Sequence, residues 1–147
     1  MVAAMLSSDN DNDKIQIVNL PMSEETEAAY AGYVNGHLAR IAVVNMRQFN
    51  YTDEDTGSIS DSTQRPVTKY SFQIPQTSAK SMSVQRLMAN GSDAITGITW
   101  DGWSYNYELK SGEPVRQHNV TIGELVAIKD EVVEIELPYS SGAILNI

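Results

Sequence analysis

Apolar and polar residues alternate along this chain in short stretches bounded by turn residues, the pattern of a protein built from strands. VTKYSFQI (67–74) is the clearest case, with Tyr70, Phe72 and Ile74 on one face and Val67, Lys69 and Ser71 on the other. KIQIVNL (14–20) and SMSVQRLMA (81–89) read the same way. AAYAGYVNGHLARIAVVNM (28–46) is predicted as a hairpin turning at Asn35-Gly36, a pair that tolerates positive φ at both central positions. PVRQHNVTIGELVAIK (114–129), EVVEIELP (131–138) and GAILNI (142–147) complete the set. SEETEAAYA (23–31) carries a capping serine and early glutamates that favour a helix start. The Asn-Gly turn follows too closely for a helix, so a strand is expected from about 27. The fold expected is all-β, an antiparallel β-sandwich of about 8–10 strands spanning 14–147, preceded by a flexible acidic lead-in over 1–13. NYTDEDTGSISDSTQRP (50–66) is a long loop without apolar periodicity.

ITGITWDGWSYNYEL (95–109) holds both tryptophans of the chain. Asp101-Gly102 predicts a tight turn that pairs Trp100 with Trp103 and Ile98 with Tyr105. Alternation then places Ile98, Trp100, Trp103, Tyr105 and Tyr107 on one face, and Thr99, Ser104, Asn106 and Glu108 on the other. A half-buried sheet turns its apolar face inward, so the aromatic face is expected in the sandwich interior. The alternative is a sugar-stacking platform, with Trp100 and Trp103 beside the turn as the carbohydrate contacts.

At 147 residues the chain suits one domain with a core of its own. A net charge of −9 repels nucleic acid, so that class of partner is excluded. The absence of cysteine removes disulfides, thiolate zinc sites and thiol catalysis. No apolar run reaches the roughly 20 residues of a membrane span. MVAAMLSS is too short for a signal peptide and lacks its basic flank, which implies either a cytosolic protein or a part of a longer one.

The candidate chemistry is sparse. Asp9, Asp11 and Asp13, and Asp53 and Asp55, have alternating acidic spacing, but the positions an EF-hand reserves for Gly and Glu hold Lys14 and Leu20, or Ser58 and Gln64. His37 and His118 lie beside turns and read as surface residues, too few for a zinc site without further ligands. With 19 Asp and Glu, some pair will fall at a glycosidase separation by accident, and the sequence singles out none. No catalytic residue, metal site or cofactor is therefore expected. Asn50-Tyr51-Thr52, Asn90-Gly91-Ser92 and Asn119-Val120-Thr121 fit the N-glycosylation rule, each at a predicted turn or loop. Asn50, Asn90 and Asn119 are thus glycan candidates and point to a secreted protein.

ARIAVVNMRQFNYT, RPVTKYSFQIP, VQRLMANGSDAITGITWDGWSYNYELKSGEPV and the ending VVEIELPYSSGAILNI together resemble the C-terminal β-domain of fungal glycoside hydrolase family 79 proteins, the β-glucuronidases related to heparanase. The resemblance runs from about 14 to 147, nearly the whole chain. It implies a non-catalytic sandwich that packs against and stabilises a (β/α)8 barrel. That barrel carries the two catalytic glutamates, so no catalytic residue transfers to this chain. It also implies secretion, and a strand from elsewhere in the enzyme that joins the sandwich and leaves an open edge in its absence. The partners expected are the catalytic barrel and, on the alternative reading of the tryptophans, carbohydrate; a free-standing secreted interaction protein is a further alternative.

Overall fold

The computed structural model describes residues 5, 10, 12–52, 64–75, 77–118 and 120–147. In chain order the strands are β1 Ile15–Leu20, β2 Glu27–Val34, β3 His37–Asn45, β4 Val67–Gln73, β5 Ser81–Met88, β6 Thr99–Trp100, β7 Trp103–Ser104, β8 Val115–Arg116, β9 Glu124–Lys129, β10 Val132–Pro138 and β11 Ser141–Asn146. One short helix, α1 Tyr107–Lys110, lies between β7 and β8. Strand-rich antiparallel structure bears out the all-β sandwich. Among the described residues the strand number rises to eleven because β6, β7 and β8 are two-residue pairings around the aromatic turn. The predicted segment 114–129 divides into β8 and β9, with Gly123 at φ +65 just ahead of β9.

Two layers face one another. The larger sheet runs β1-β2-β3-β11-β5-β6-β7-β8, and the smaller one consists of β4, β10 and β9. β9 belongs to both: it pairs with β10 at Val132↔Lys129 and with β5 at Ser81↔Ala127 through Val84↔Glu124. That shared strand curls the sheet closed along one side. On the other side β10 is the one strand paired with β4 among the described residues, so the outer edge of β4 is open.

Tight turns hold the register. Asn35 and Gly36 (φ 52° and 83°) and Asp101 and Gly102 (φ 48° and 76°) both take the left-handed conformation that two-residue hairpins require. Asp130 and Glu131 do the same between β9 and β10 without a glycine (φ 50° and 62°). Asn35 is reinforced from outside the hairpin: its Oδ1 accepts from Lys14 N at 2.9 Å and its Nδ2 donates to Asp13 at 2.7 Å.

The core forms where the inner faces meet. Ala29, Ile41, Val43, Met82, Val84, Ala143 and Leu145 of the larger sheet pack on Tyr70, Phe72, Ile74, Val133, Ile135 and Leu137. The alternation read from VTKYSFQI is realised, with Tyr70, Phe72 and Ile74 buried and Val67, Lys69 and Ser71 at the surface or close to it. Fully burying each such side chain contributes roughly 1.5–3 kcal/mol, which is how a chain without disulfides holds together. Asn45 is a buried polar exception, and its Nδ2 bridges to Leu137 O at 3.3 Å and Thr68 Oγ1 at 3.2 Å across the layers. At one end Arg86 closes the interior, donating to both carboxylate oxygens of Glu124 (2.6 and 2.8 Å) and to Glu136 O. This pairing holds the Glu124 carboxyl below its usual range.

Candidate functional site

Four features of the surface could carry function: the aromatic hairpin, the outer face of the larger sheet, the open edge of β4, and a clasp where two glycosylation sequons meet.

The hairpin pairs Trp100 with Trp103, as the Asp101-Gly102 turn predicts, but it faces the opposite way from the sequence expectation. Thr99 and Ser104 are the buried pair, at 4% and 0% exposure, while Trp103, Tyr105 and Tyr107 are 41%, 56% and 75% exposed. The physical reason is the place of the hairpin in the sheet. β6 extends the larger sheet beyond β5, through Leu87↔Trp100 and Met88↔Thr99. That register puts Trp100 on the side of Leu87, opposite the inward Met82 and Val84, and Thr99 on the inward side with Met88. Tyr107 leaves the strand altogether and starts α1, none of whose residues is buried. Trp100 is half-buried and packs beside Met5, Ala42 and Ile144 on the outer face. Trp103 lies with the Arg116 guanidinium 5.7 Å over its ring, and Arg116 also donates to Asp101 O at 3.2 Å. Gly102 makes room for this, since a Cβ there would lie 1.7 Å from Arg116 Nη1.

The outer faces of the two layers differ in kind. The smaller sheet shows Lys69, Ser71, Gln73, Glu134 and Glu136 to solvent, with Lys69 and Glu134 paired at 2.8 Å. On the larger sheet the pairing register aligns Tyr30, Ala42, Val44, Leu87, Ile144 and Trp100 on the outer side together with Arg40, Gln85 and Asn146, and Ala42 and Ile144 are already buried there beside Met5. Tyr30 and Ile17 are about two-fifths exposed there (40% and 39%). Gly32 lies in the same face beneath Met5, whose methyl would be 3.2 Å from a Cβ at that position.

Along the open edge of β4 runs a groove of about 600 Å³, between residues 68–73 and Leu20–Ser23, with Glu27 and Arg47 at its side. The buried Glu27 carboxylate meets Arg47 Nε at 3.3 Å. Burial, then the neighbouring Glu27 carboxylate, push the Tyr70 hydroxyl well above its ordinary range.

The sequons Asn50-Tyr51-Thr52 and Asn90-Gly91-Ser92, far apart in sequence, meet in space. Ser92 N donates to Phe49 O at 2.7 Å, and Phe49 N donates to Ser92 Oγ at 3.0 Å. Asp93 accepts from the Thr52 hydroxyl, from Tyr51 N at 2.8 Å and from Thr52 N at 2.9 Å. These donors, the Thr52 hydroxyl first, hold the Asp93 carboxyl down to about 2. Arg65 fastens the clasp to the β10–β11 turn, donating to Tyr139 O, to Ser140 O at 2.9 Å and to Ala89 O at 2.6 Å. Asn90 is exposed and Asn50 half-buried, its Oδ1 accepting from Gln48 Nε2 at 3.0 Å; Asn119 lies outside the described residues. Nothing in the sequence pattern indicated the clasp, because its partners are more than forty residues apart.

His37 and His118 are exposed, on β3 and after β8. Among the described residues no three His, Cys, Asp or Glu side chains gather as a metal ion would require, and no helix is long and apolar enough to cross a membrane. Asp9, Asp11, Asp53 and Asp55 lie outside the described residues, as does most of the lead-in over 1–13.

Comparison with known proteins gives this geometry its context. The chain is 58% identical over its whole length to a β-glucuronidase of Aspergillus niger, of which it spans 27%. It is 44% identical over 71% of its length to a β-glucuronidase of Neurospora crassa, of which it spans 21%. Its fold is similar to part of a 4-O-α-L-rhamnosyl-β-D-glucuronidase from Fusarium oxysporum, with a TM-score of 0.67 at 20% identity, over 89% of this chain and 26% of that one. Residues 29–144 match the glycosyl hydrolase family 79 C-terminal beta domain, and the chain belongs to that family.

Proposed function

We propose that this chain is the non-catalytic accessory domain of a β-glucuronidase-type glycoside hydrolase, packing against and stabilising a (β/α)8 catalytic barrel carried by the rest of the polypeptide. The observation that carries the proposal is one of proportion. The chain spans about a quarter of each relative, 27% and 21%, and what it spans is a two-layered sandwich with a core of its own. The open edge of β4 and its groove support the implication that a strand from elsewhere in the polypeptide completes the sandwich. The purified 147-residue chain should not turn over an aryl glucuronide, and the complete polypeptide cut just before this domain should lose thermal stability. Turnover by the isolated chain overturns the proposal.

The outward-facing ring of Trp103 favours a second reading, in which Trp103 with Trp100 contacts carbohydrate. Titration with glucuronate-bearing oligosaccharides would then quench tryptophan fluorescence, and Trp103→Ala would abolish the quenching while leaving the fold intact. Secretion is part of the same proposal and rests on the sequons. Peptide-N-glycosidase treatment of the protein from a fungal host should lower its mass through Asn90 and Asn50, and an unchanged mass counts against it.

A further inference from the structure

We infer that the lobe between β5 and β9, at a surface formed by Trp103, Tyr105, Tyr107, Arg116 and Ile122, is where the larger part of the polypeptide docks. This rests on the accessory-domain reading above and assigns it a surface. β5 and β9 are neighbours, paired from Ser81↔Ala127 to Val84↔Glu124. Residues 89–123 therefore leave the sandwich and return to it as an excursion. They supply no buried hydrophobic side chain: among the described residues none lies between Val84 and Val133. Yet half of the fourteen large hydrophobic side chains left exposed among the described residues belong to this stretch, from Ile95 to Ile122. The excess is local, and a concentrated apolar surface marks an interaction site where scattered apolar residues do not.

The residues adjoin one another. Trp103 pairs with Arg116 across β7 and β8, and the guanidinium lies over its ring. Arg116 and Ile122 meet over Gly102, where a Cβ would come 1.7 Å from Nη1 of the one and 2.8 Å from Cγ2 of the other. Tyr105 is the next residue on the Trp103 side of the chain, and Tyr107 opens α1. All four apolar members are open to solvent, Ile122 at 51%.

The occupant follows from composition, charge and length. Trp, Tyr and Arg are the residue types that carry most of the binding energy at protein contacts. Ile122 beside them offers neither a ring face nor a hydrogen bond to a sugar, and one face of the Trp103 ring already has a cation over it. A net charge of −9 disfavours a second copy of the domain and an anionic membrane surface. The chain matches a C-terminal domain, and the Aspergillus niger relative holds roughly three-quarters of its length outside the part this chain spans. Joined covalently, that part meets the lobe at high effective concentration, so a contact of modest area holds. Contact between domains of one chain typically buries roughly 600–1,500 Å².

Site-specific photo-crosslinking in the complete polypeptide tests the assignment. With p-benzoylphenylalanine in place of Tyr105 or Tyr107, one aromatic for another, irradiation of the dilute protein should give intramolecular cross-links to peptides outside these 147 residues. The same group at Glu134, exposed on the smaller sheet, should give none. No residue of α1 is buried, so Tyr107→Glu leaves the core untouched while placing a charge in the contact. Limited proteolysis should then separate the domain about tenfold faster or more. Either an unchanged rate or the absence of cross-links from Tyr105 and Tyr107 overturns the inference. Cross-links from Glu134 instead overturn the surface and leave the accessory reading standing. No cross-link from any of the three positions, with a melting temperature unchanged by cutting the polypeptide before this domain, overturns both. Cross-links between two copies overturn the inference, as do cross-links formed only to an added glucuronate-bearing oligosaccharide.

Discussion

Replacing Gly91 with alanine sets two effects of opposite sign against each other. Alanine removes conformational freedom from the unfolded chain, which favours folding by about 0.4–1 kcal/mol where the native backbone is compatible. Gly91 is not among the residues with positive φ, so that gain is available. Against it stands the space the methyl would enter. A Cβ at Gly91 would lie 2.6 Å from Phe49 O, 2.7 Å from Asp93 Oδ1 and 2.8 Å from Tyr51 N. Two of these are backbone atoms, and the third belongs to a carboxylate fixed by the Thr52 hydroxyl and two amides, so none can swing aside. Relief requires moving residues 47–52 away from 89–93, which stretches the Ser92 N to Phe49 O bond and the Tyr51 N to Asp93 bond. Overpacking costs about 1–3 kcal/mol and each weakened hydrogen bond up to about 1 kcal/mol more. The steric term wins, and Gly91→Ala should destabilise the chain by about 1–3 kcal/mol net. For a chain of this size that lowers the melting temperature by roughly 3–10 °C. Urea denaturation followed by circular dichroism measures it, with Gly36→Ala as a comparison in which nothing lies within 4 Å and only the positive φ is strained. A Gly91→Ala midpoint equal to or above that of the parent chain would refute the clasp as described.

Arg65→Ala should lower stability by about 2–3 kcal/mol in the same assay, because three backbone carbonyls lose a charged donor. Arg65→Lys should restore little of it, since one ammonium cannot span the carbonyls of Ala89, Tyr139 and Ser140. Leu137→Ala, at a fully buried position between the layers, should cost about 2–5 kcal/mol by thermal or urea unfolding. The Asp93 carboxyl is held down to about 2 from 3.8, so its contribution to folding is full above about pH 4 and fades as the pH falls toward 2. The stability difference between the parent chain and Asp93→Asn should therefore shrink over that interval, and a difference that stays constant down to pH 2 would contradict the assignment.

Most of the fold was legible in the sequence because its signals are local. Strand alternation at Tyr70, Phe72 and Ile74, and the left-handed turns at Asn35-Gly36 and Asp101-Gly102, depend on nearest neighbours, and the structure keeps all of them. The aromatic hairpin shows where that logic stops. Alternation divides Ile98, Trp100, Trp103 and Tyr105 from Thr99 and Ser104, but it does not say which side faces inward. That depends on the register with the neighbouring strand. β6 continues the larger sheet from β5 in the register Leu87↔Trp100 and Met88↔Thr99, which turns Thr99 and Ser104 inward and the tryptophans outward. A period-two pattern therefore predicts the pair of faces, and tertiary position decides between them. The sequon clasp was illegible for a different reason: Asp93, Arg65 and Gly91 are ordinary residues in their own segments, and they acquire a role only when the β10–β11 turn brings Tyr139 and Ser140 beside them.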